Sequence, residues 1–144
     1  MKQQNYHYSL TADVTPIEAF DRINDVSGWW AKNMEGNSKE LNGTFTVRFG
    51  ETYVTFKVTE FVPGKKVSWL VTDCYLHWIS DKTEWKGTKL VFEISAEEDS
   101  TRVDFTHIGL MPQVECYNDC STGWNYHFGN SFLKLLTENK GVPA

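Results

Sequence analysis

Between residues 39 and 110 apolar side chains recur at every second position, and this period most constrains what the chain can fold into. Five segments carry it. Phe45, Val47 and Phe49 share a phase in "GTFTVRFG", and Val54, Phe56, Val58 and Glu60 share one in "YVTFKVTEFV". Val67, Trp69, Val71 and Asp73 follow in "KKVSWLVTD", Leu90, Phe92 and Ile94 in "TKLVFEISAEE", and Val103, Phe105 and His107 in "TRVDFTHIGL". Successive side chains of an extended strand point to opposite faces, so each segment has one apolar and one polar side. Five such segments describe an antiparallel sheet, wet on one face and covered on the other. Val62-Pro63-Gly64-Lys65 supplies a β-turn, and Glu97-Glu98-Asp99-Ser100 a polar hairpin tip.

The flanks supply the cover. A first strand is expected over residues 6–13. In "TPIEAFDRIND" Thr15 can cap a helix, Pro16 suits its first position, and Glu18 completes a capping box. Ile17, Phe20 and Ile23 give that helix one apolar face. "VSGWWAKNMEG" reads as a second short helix or turn, broken at Gly28 and ending at Gly36. After Met111-Pro112 no proline interrupts residues 113–138, which read as a helix of about 25 residues, about 37 Å long. Val114, Tyr117, Ser121, Trp124, Phe128, Phe132 and Leu135 fall at steps of three and four, with Gly141 expected as the cap. Gly123 and Gly129 each cost this helix about 1 kcal/mol against Ala. Close approach of the sheet or of a ligand would account for them.

The order β-α-α-β-β-β-β-β-α is an α+β helix-grip arrangement, a curved antiparallel sheet wrapped around a long C-terminal helix. The stretches "TPIEAFDRINDVSGWW", "VTEFVPGKKVSWLV", "TEWKGTKLVFEI" and "TRVDFTHIGL", with Gly123-Trp124 in the closing helix, resemble the START-like (SRPBCC) superfamily. They resemble in particular the branch named for the activator of Hsp90 ATPase. The resemblance spans nearly the whole chain and rests on packing and turn residues, which are specific for fold and poor for activity. It implies a hydrophobic cavity gripped between sheet and helix. Members of the superfamily carry lipids, sterols, hormones or polyketides, and a minority are enzymes.

The bulk numbers narrow the partners. At 144 residues the chain has the length of one domain, taken as 1–144. The net charge is −5 and no basic run exceeds Lys65-Lys66, so nucleic acid and anionic membranes are not expected partners. No apolar run approaches the roughly 20 residues of a membrane span, and residues 1–5 are polar without a signal-peptide core. The expectation is a cytoplasmic protein, monomer or homodimer, with Cys74, Cys116 and Cys120 as reduced thiols. Six Trp and nine Phe are many for this length, and rings that meet across a small sheet readily leave a cavity.

Each chemical candidate has a plain alternative. Cys116 and Cys120 share a helical face and could meet on a metal, but no CxxC knuckle or second cysteine pair accompanies them, and packing is the plainer reading. His107 is either a core histidine bonded to backbone or a polar anchor for a ligand. Asp73 and Glu60 fall on the inner phase by strict alternation, and Asp73 with His107 would form the acid–base pair of a cyclase or isomerase. "YLHWISDKTEWKGT" alternates poorly and reads as a hairpin or a lid at the mouth of a pocket. No phosphate loop and no GxSxG elbow is present. The leading expectation is a binding protein for a small hydrophobic or aromatic molecule. Its sheet wall would be Phe56, Trp69, Asp73, Phe92, Phe105 and His107. Its helix wall would be Cys120, Trp124 and Phe128, with Trp30 and Trp78 at the edges. No cofactor, no metal and no assigned catalytic residue enter this reading. A chaperone partner of the Hsp90 type is suggested by the branch name and not favoured by the single-domain length.

Overall fold

The structure, a computed structural model, describes residues 5–144. The polar stretch at residues 1–4 lies outside the described residues. Strand β1 (Tyr6–Ala12) leads into helix α1 (Pro16–Asn24) and a four-residue helix α2 (Val26–Trp29). Strands β2 (Asn33–Gly36), β3 (Thr44–Phe49), β4 (Thr52–Val62), β5 (Lys66–Tyr75), β6 (Lys89–Ala96) and β7 (Thr101–Ile108) follow. The chain closes with a 22-residue C-terminal helix. It comprises α3 (Tyr117–Tyr126), a π-helical stretch (His127–Phe132) and α4 (Leu133–Glu138). The seven strands form one antiparallel sheet in the order β1-β7-β6-β5-β4-β3-β2. The chain therefore has the helix-grip architecture.

Local chemistry explains the element ends. The Thr15 hydroxyl accepts the Glu18 N–H at 3.1 Å and Pro16 opens α1, as the capping pattern requires. Lys65 N–H bonds to Val62 O at 2.9 Å and closes the turn between β4 and β5, where Gly64 takes a φ of +71°. Three expectations need correction. The strand β2 replaces the end of the expected helix or turn: four mostly exposed residues carry no alternation from which to read it. The C-terminal helix starts at Tyr117 rather than at residue 113, because residues 112–116 are turns held from outside by Glu84. It ends on Asn139 in the left-handed conformation rather than on Gly141.

The inner face of the sheet is closed by rings. Phe45, Phe56, Trp69, Phe92 and Phe105 are all buried, and Phe128 and Phe132 of the C-terminal helix descend onto them. Phe92 stacks on Phe105 at 4.8 Å, Trp69 meets Phe92 edge-on at 4.9 Å, and Phe105 lies 5.2 Å from Phe128. The middle of the grip is thus filled by ring-to-ring contacts. Gly129 belongs to this contact: a Cβ there would come within 2.6 Å of the Tyr8 hydroxyl on β1. Gly123, one stage earlier on the helix, is different, and a Cβ there would meet nothing within 4 Å.

Two β-bulges break the alternation that the sequence suggests. Between β4 and β5, Thr55 faces Asp73 while Phe56 faces Val71, so Thr72 is an extra residue. A second bulge sits at Thr59, between the Val58–Trp69 and Glu60–Ser68 pairs. Each extra residue shifts the phase by one and turns every later side chain to the other face. Asp73 and Glu60 therefore point outward, against the expectation from strict alternation. Asp73 is exposed and accepts the Tyr53 hydroxyl at 3.3 Å. Glu60 accepts from Ser68 at 2.7 Å and pairs with Lys66 at 3.3 Å. The same slip turns Cys74 inward, where it is buried beside Val54.

Candidate functional site

A cavity of about 300 Å³ lies where the ring-packed interior stops, at the end of the sheet that faces α3. Phe49 from β3 and Thr52 and Val54 from β4 form one wall. Asp119, Cys120, Gly123 and Trp124 of α3, with His127 just beyond, form the opposite wall. Trp30, after α2, and Leu76, Trp78 and Trp85 of the segment between β5 and β6 complete it. Four of the chain's six Trp residues converge here. Trp30 lies 4.9 Å from Trp124, and Trp85 stacks on Trp124 at 5.9 Å with 16° between planes. Trp78 is 47% exposed and stands at the mouth.

The segment 76–87 is fastened to the helix by two carboxylates. Glu84 accepts the N–H groups of Glu115 and Cys116 at 3.0 and 2.9 Å, at the point where the closing helix begins. Glu115 in return accepts the N–H groups of Ser80 and Asp81 at 2.9 and 3.2 Å. These backbone donors hold the Glu115 carboxyl below the usual carboxylate range. Trp85 adds an indole N–H to the Cys116 sulfur at 3.2 Å. The segment expected as a hairpin or lid is therefore a clipped turn structure whose buried anchors are Leu76, Ile79 and Trp85.

His107 sits directly behind this wall and is wholly buried. The indole N–H of Trp124 reaches its Nδ1 at 3.1 Å, so Nδ1 is the acceptor and Nε2 carries the proton. Nε2–H donates to the Thr88 hydroxyl at 3.0 Å, and that hydroxyl donates to the Trp85 carbonyl at 2.6 Å. The chain Trp124–His107–Thr88–Trp85 uses both ring nitrogens and leaves none for a ligand or a proton transfer. Burial lowers the His107 pKa to about 3, so the imidazole is neutral. The inner phase expected for His107 is correct, but its expected roles as ligand anchor and as partner of Asp73 are not, because the ring is closed off and Asp73 is on the other face.

Two of the thiols are held in the neutral form. Hydrogen bonding with Cys116, then burial, pushes the Cys120 thiol upward, and burial does the same to Cys74. His127 is half-buried at the cavity wall, with Nδ1 unpartnered, and desolvation lowers its pKa.

Of the residues expected around a ligand, Trp30, Trp78, Cys120 and Trp124 line the cavity. Phe56, Trp69, Phe92, Phe105 and Phe128 do not: they are the ring-packed interior beneath it. Phe49, Thr52, Val54, Leu76, Trp85, Asp119, Gly123 and His127 line it without having been assigned to it. Two of these carried a signal. Gly123 is a costly residue for a helix, and Trp85 stands in the segment that alternates poorly.

No protein-family model matches the chain, and no curated protein matches it. Solved structures do. The Aha1 dimer from Colwellia psychrerythraea superposes with a TM-score of 0.77 at 24% identity, over 95% of this chain and 98% of that one. SSP2350 from Staphylococcus saprophyticus gives 0.71 at 15% identity, over 96% and 95%. DynU16, from the dynemicin biosynthetic locus, gives 0.70 at 11% identity over 97% of this chain and 49% of that one. The START-like helix-grip fold is thereby established, and at these identities the likeness carries the fold alone.

Proposed function

We propose that this chain binds a small, mainly apolar molecule in the cavity between the β3–β4 strands, the clipped 76–87 segment and α3. The observation that carries the reading is Gly123. A glycine inside a helix costs about 1 kcal/mol against Ala. Gly129 repays that cost with the Tyr8 contact, whereas a Cβ on Gly123 would point into open cavity. Space kept open at a stability cost is space for something else. A cavity of about 300 Å³ is at the small end of the usual range for ligand sites. A ligand that buries about 300 Å² of apolar surface there gains about 7 kcal/mol before ordering costs. Ordering costs subtract from that gain, so micromolar binding needs contacts beyond apolar burial alone.

The acid–base reading has lost both of its residues, His107 to a closed hydrogen-bond chain and Asp73 to the outer face. Nothing in the geometry favours a chaperone partner. Three free thiols suit a reducing, cytoplasmic setting. The test is a tryptophan-quenching screen of flat apolar compounds on the wild type and on Gly123→Phe, whose ring would fill the cavity. The variant should fold and lose the hits by at least tenfold. Hits that bind Gly123→Phe unchanged contradict the reading.

A further inference from the structure

Granted that binding site, we propose that its ligand carries a positively charged ammonium group, held against indole π-surface on the Asp119 side of the cavity. Four indoles and the Phe49 ring line the space, and the electron-rich faces of such rings attract cations. The indole N–H groups of Trp85 and Trp124 are both spent on the protein, on Cys116 and His107. Those two rings have no hydrogen-bond donor left for a ligand acceptor, and what they offer is carbon and π-density. Asp119, exposed at the cavity's edge, supplies a carboxylate. Among the described residues no Lys or Arg lines the cavity, and burial disfavours a charged His127. An anion would therefore find no counter-charge in the wall. The start of the closing helix, the other feature that could attract one, already has the Glu84 carboxylate on the N–H groups of Glu115 and Cys116. Rings, one carboxylate, no basic side chain and a net charge of −5 all select the same sign.

The experiment compares two probes of one shape, phenyltrimethylammonium and tert-butylbenzene, by tryptophan quenching at low ionic strength. Wild type should bind the ammonium at least tenfold more tightly than the hydrocarbon. Asp119→Asn, at an exposed position, should weaken the ammonium at least threefold and leave the hydrocarbon unchanged. Trp78→Leu keeps apolar bulk at the mouth and removes a π-face, so it should narrow the ratio in the same direction. Equal or tighter binding of the hydrocarbon overturns the cation inference while the apolar site stands. An unchanged ratio in both variants overturns it as well. If neither probe binds, the site and the inference fall together.

Discussion

Lowering the pH from 7 to 5 is expected to cost this protein about 2 kcal/mol of folding stability through His107 alone. In the unfolded chain an imidazole titrates at its ordinary value of 6.5, whereas in the folded protein burial holds His107 down at about 3. A base with a depressed folded pKa is neutral in the folded state and protonated in the unfolded one throughout that window. Its contribution is therefore intact above about pH 6.5 and is lost as pH falls toward 3, by up to about 1.4 kcal/mol per pH unit. The onset near 6.5 makes the loss between pH 7 and 5 about 2 kcal/mol, in a range above the usual carboxylate titrations. His127 is shifted in the same direction, so the comparison must be with His107→Gln, which retains it. Urea unfolding followed by tryptophan fluorescence gives the stability of both proteins at the two pH values. Wild type should lose about 2 kcal/mol more than the variant. Parallel losses would refute the hydrogen-bonded chain through Trp124 and Thr88, since an imidazole reached by water would titrate alike folded and unfolded.

The two helix glycines should respond in opposite directions. Gly123→Ala should raise stability by about 1 kcal/mol, whereas Gly129→Ala should lower it, because the new Cβ meets Tyr8; urea unfolding reads both. The Glu115 clip should hold at neutral pH and loosen as pH falls below the ordinary carboxyl value of 4.5, because a depressed carboxyl pKa contributes stability only while the group is ionised. Hydrogen exchange at the Ser80 and Asp81 amides measures this, and Glu115→Gln should expose them at pH 7. Phe92→Ala, in the middle of the ring-packed interior, should cost about 3–5 kcal/mol by the same unfolding assay.

The sheet was legible because its inner positions repeat strictly, as in Phe45 and Val47 or Val103 and Phe105, and period two admits one geometry. The α1 start was legible because Thr15, Pro16 and Glu18 act on one another within a single turn. What was lost depended on partners that the local pattern does not contain. Thr59 and Thr72 look like any other strand threonine, and only their pairing across β4 and β5 makes them bulges. That single missing residue in the count moved Asp73 from cavity wall to outer surface. The start of the closing helix is set by Glu84, roughly thirty positions away, and no capping box near residue 117 announces it. The candidate site split along the same line. Aromatic content indicated a cavity, but whether rings are enclosed or border a space is decided by packing: Phe92, Phe105 and Phe128 are enclosed by other side chains, while Trp30, Trp85 and Trp124 pack on one another and, with Trp78, border a gap.

The six indole N–H resonances of a ¹⁵N-labelled sample discriminate between that gap and the interior most directly, during titration with a neutral aromatic compound taken from the quenching screen. Trp30, Trp78, Trp85 and Trp124 should shift and saturate together, while Trp29 and Trp69, both wholly buried beneath, stay in place. A saturating shift of Trp69 that leaves Trp78 and Trp124 unmoved would mean that the ligand enters between sheet and helix where the rings are packed, and the assignment of the site would be wrong.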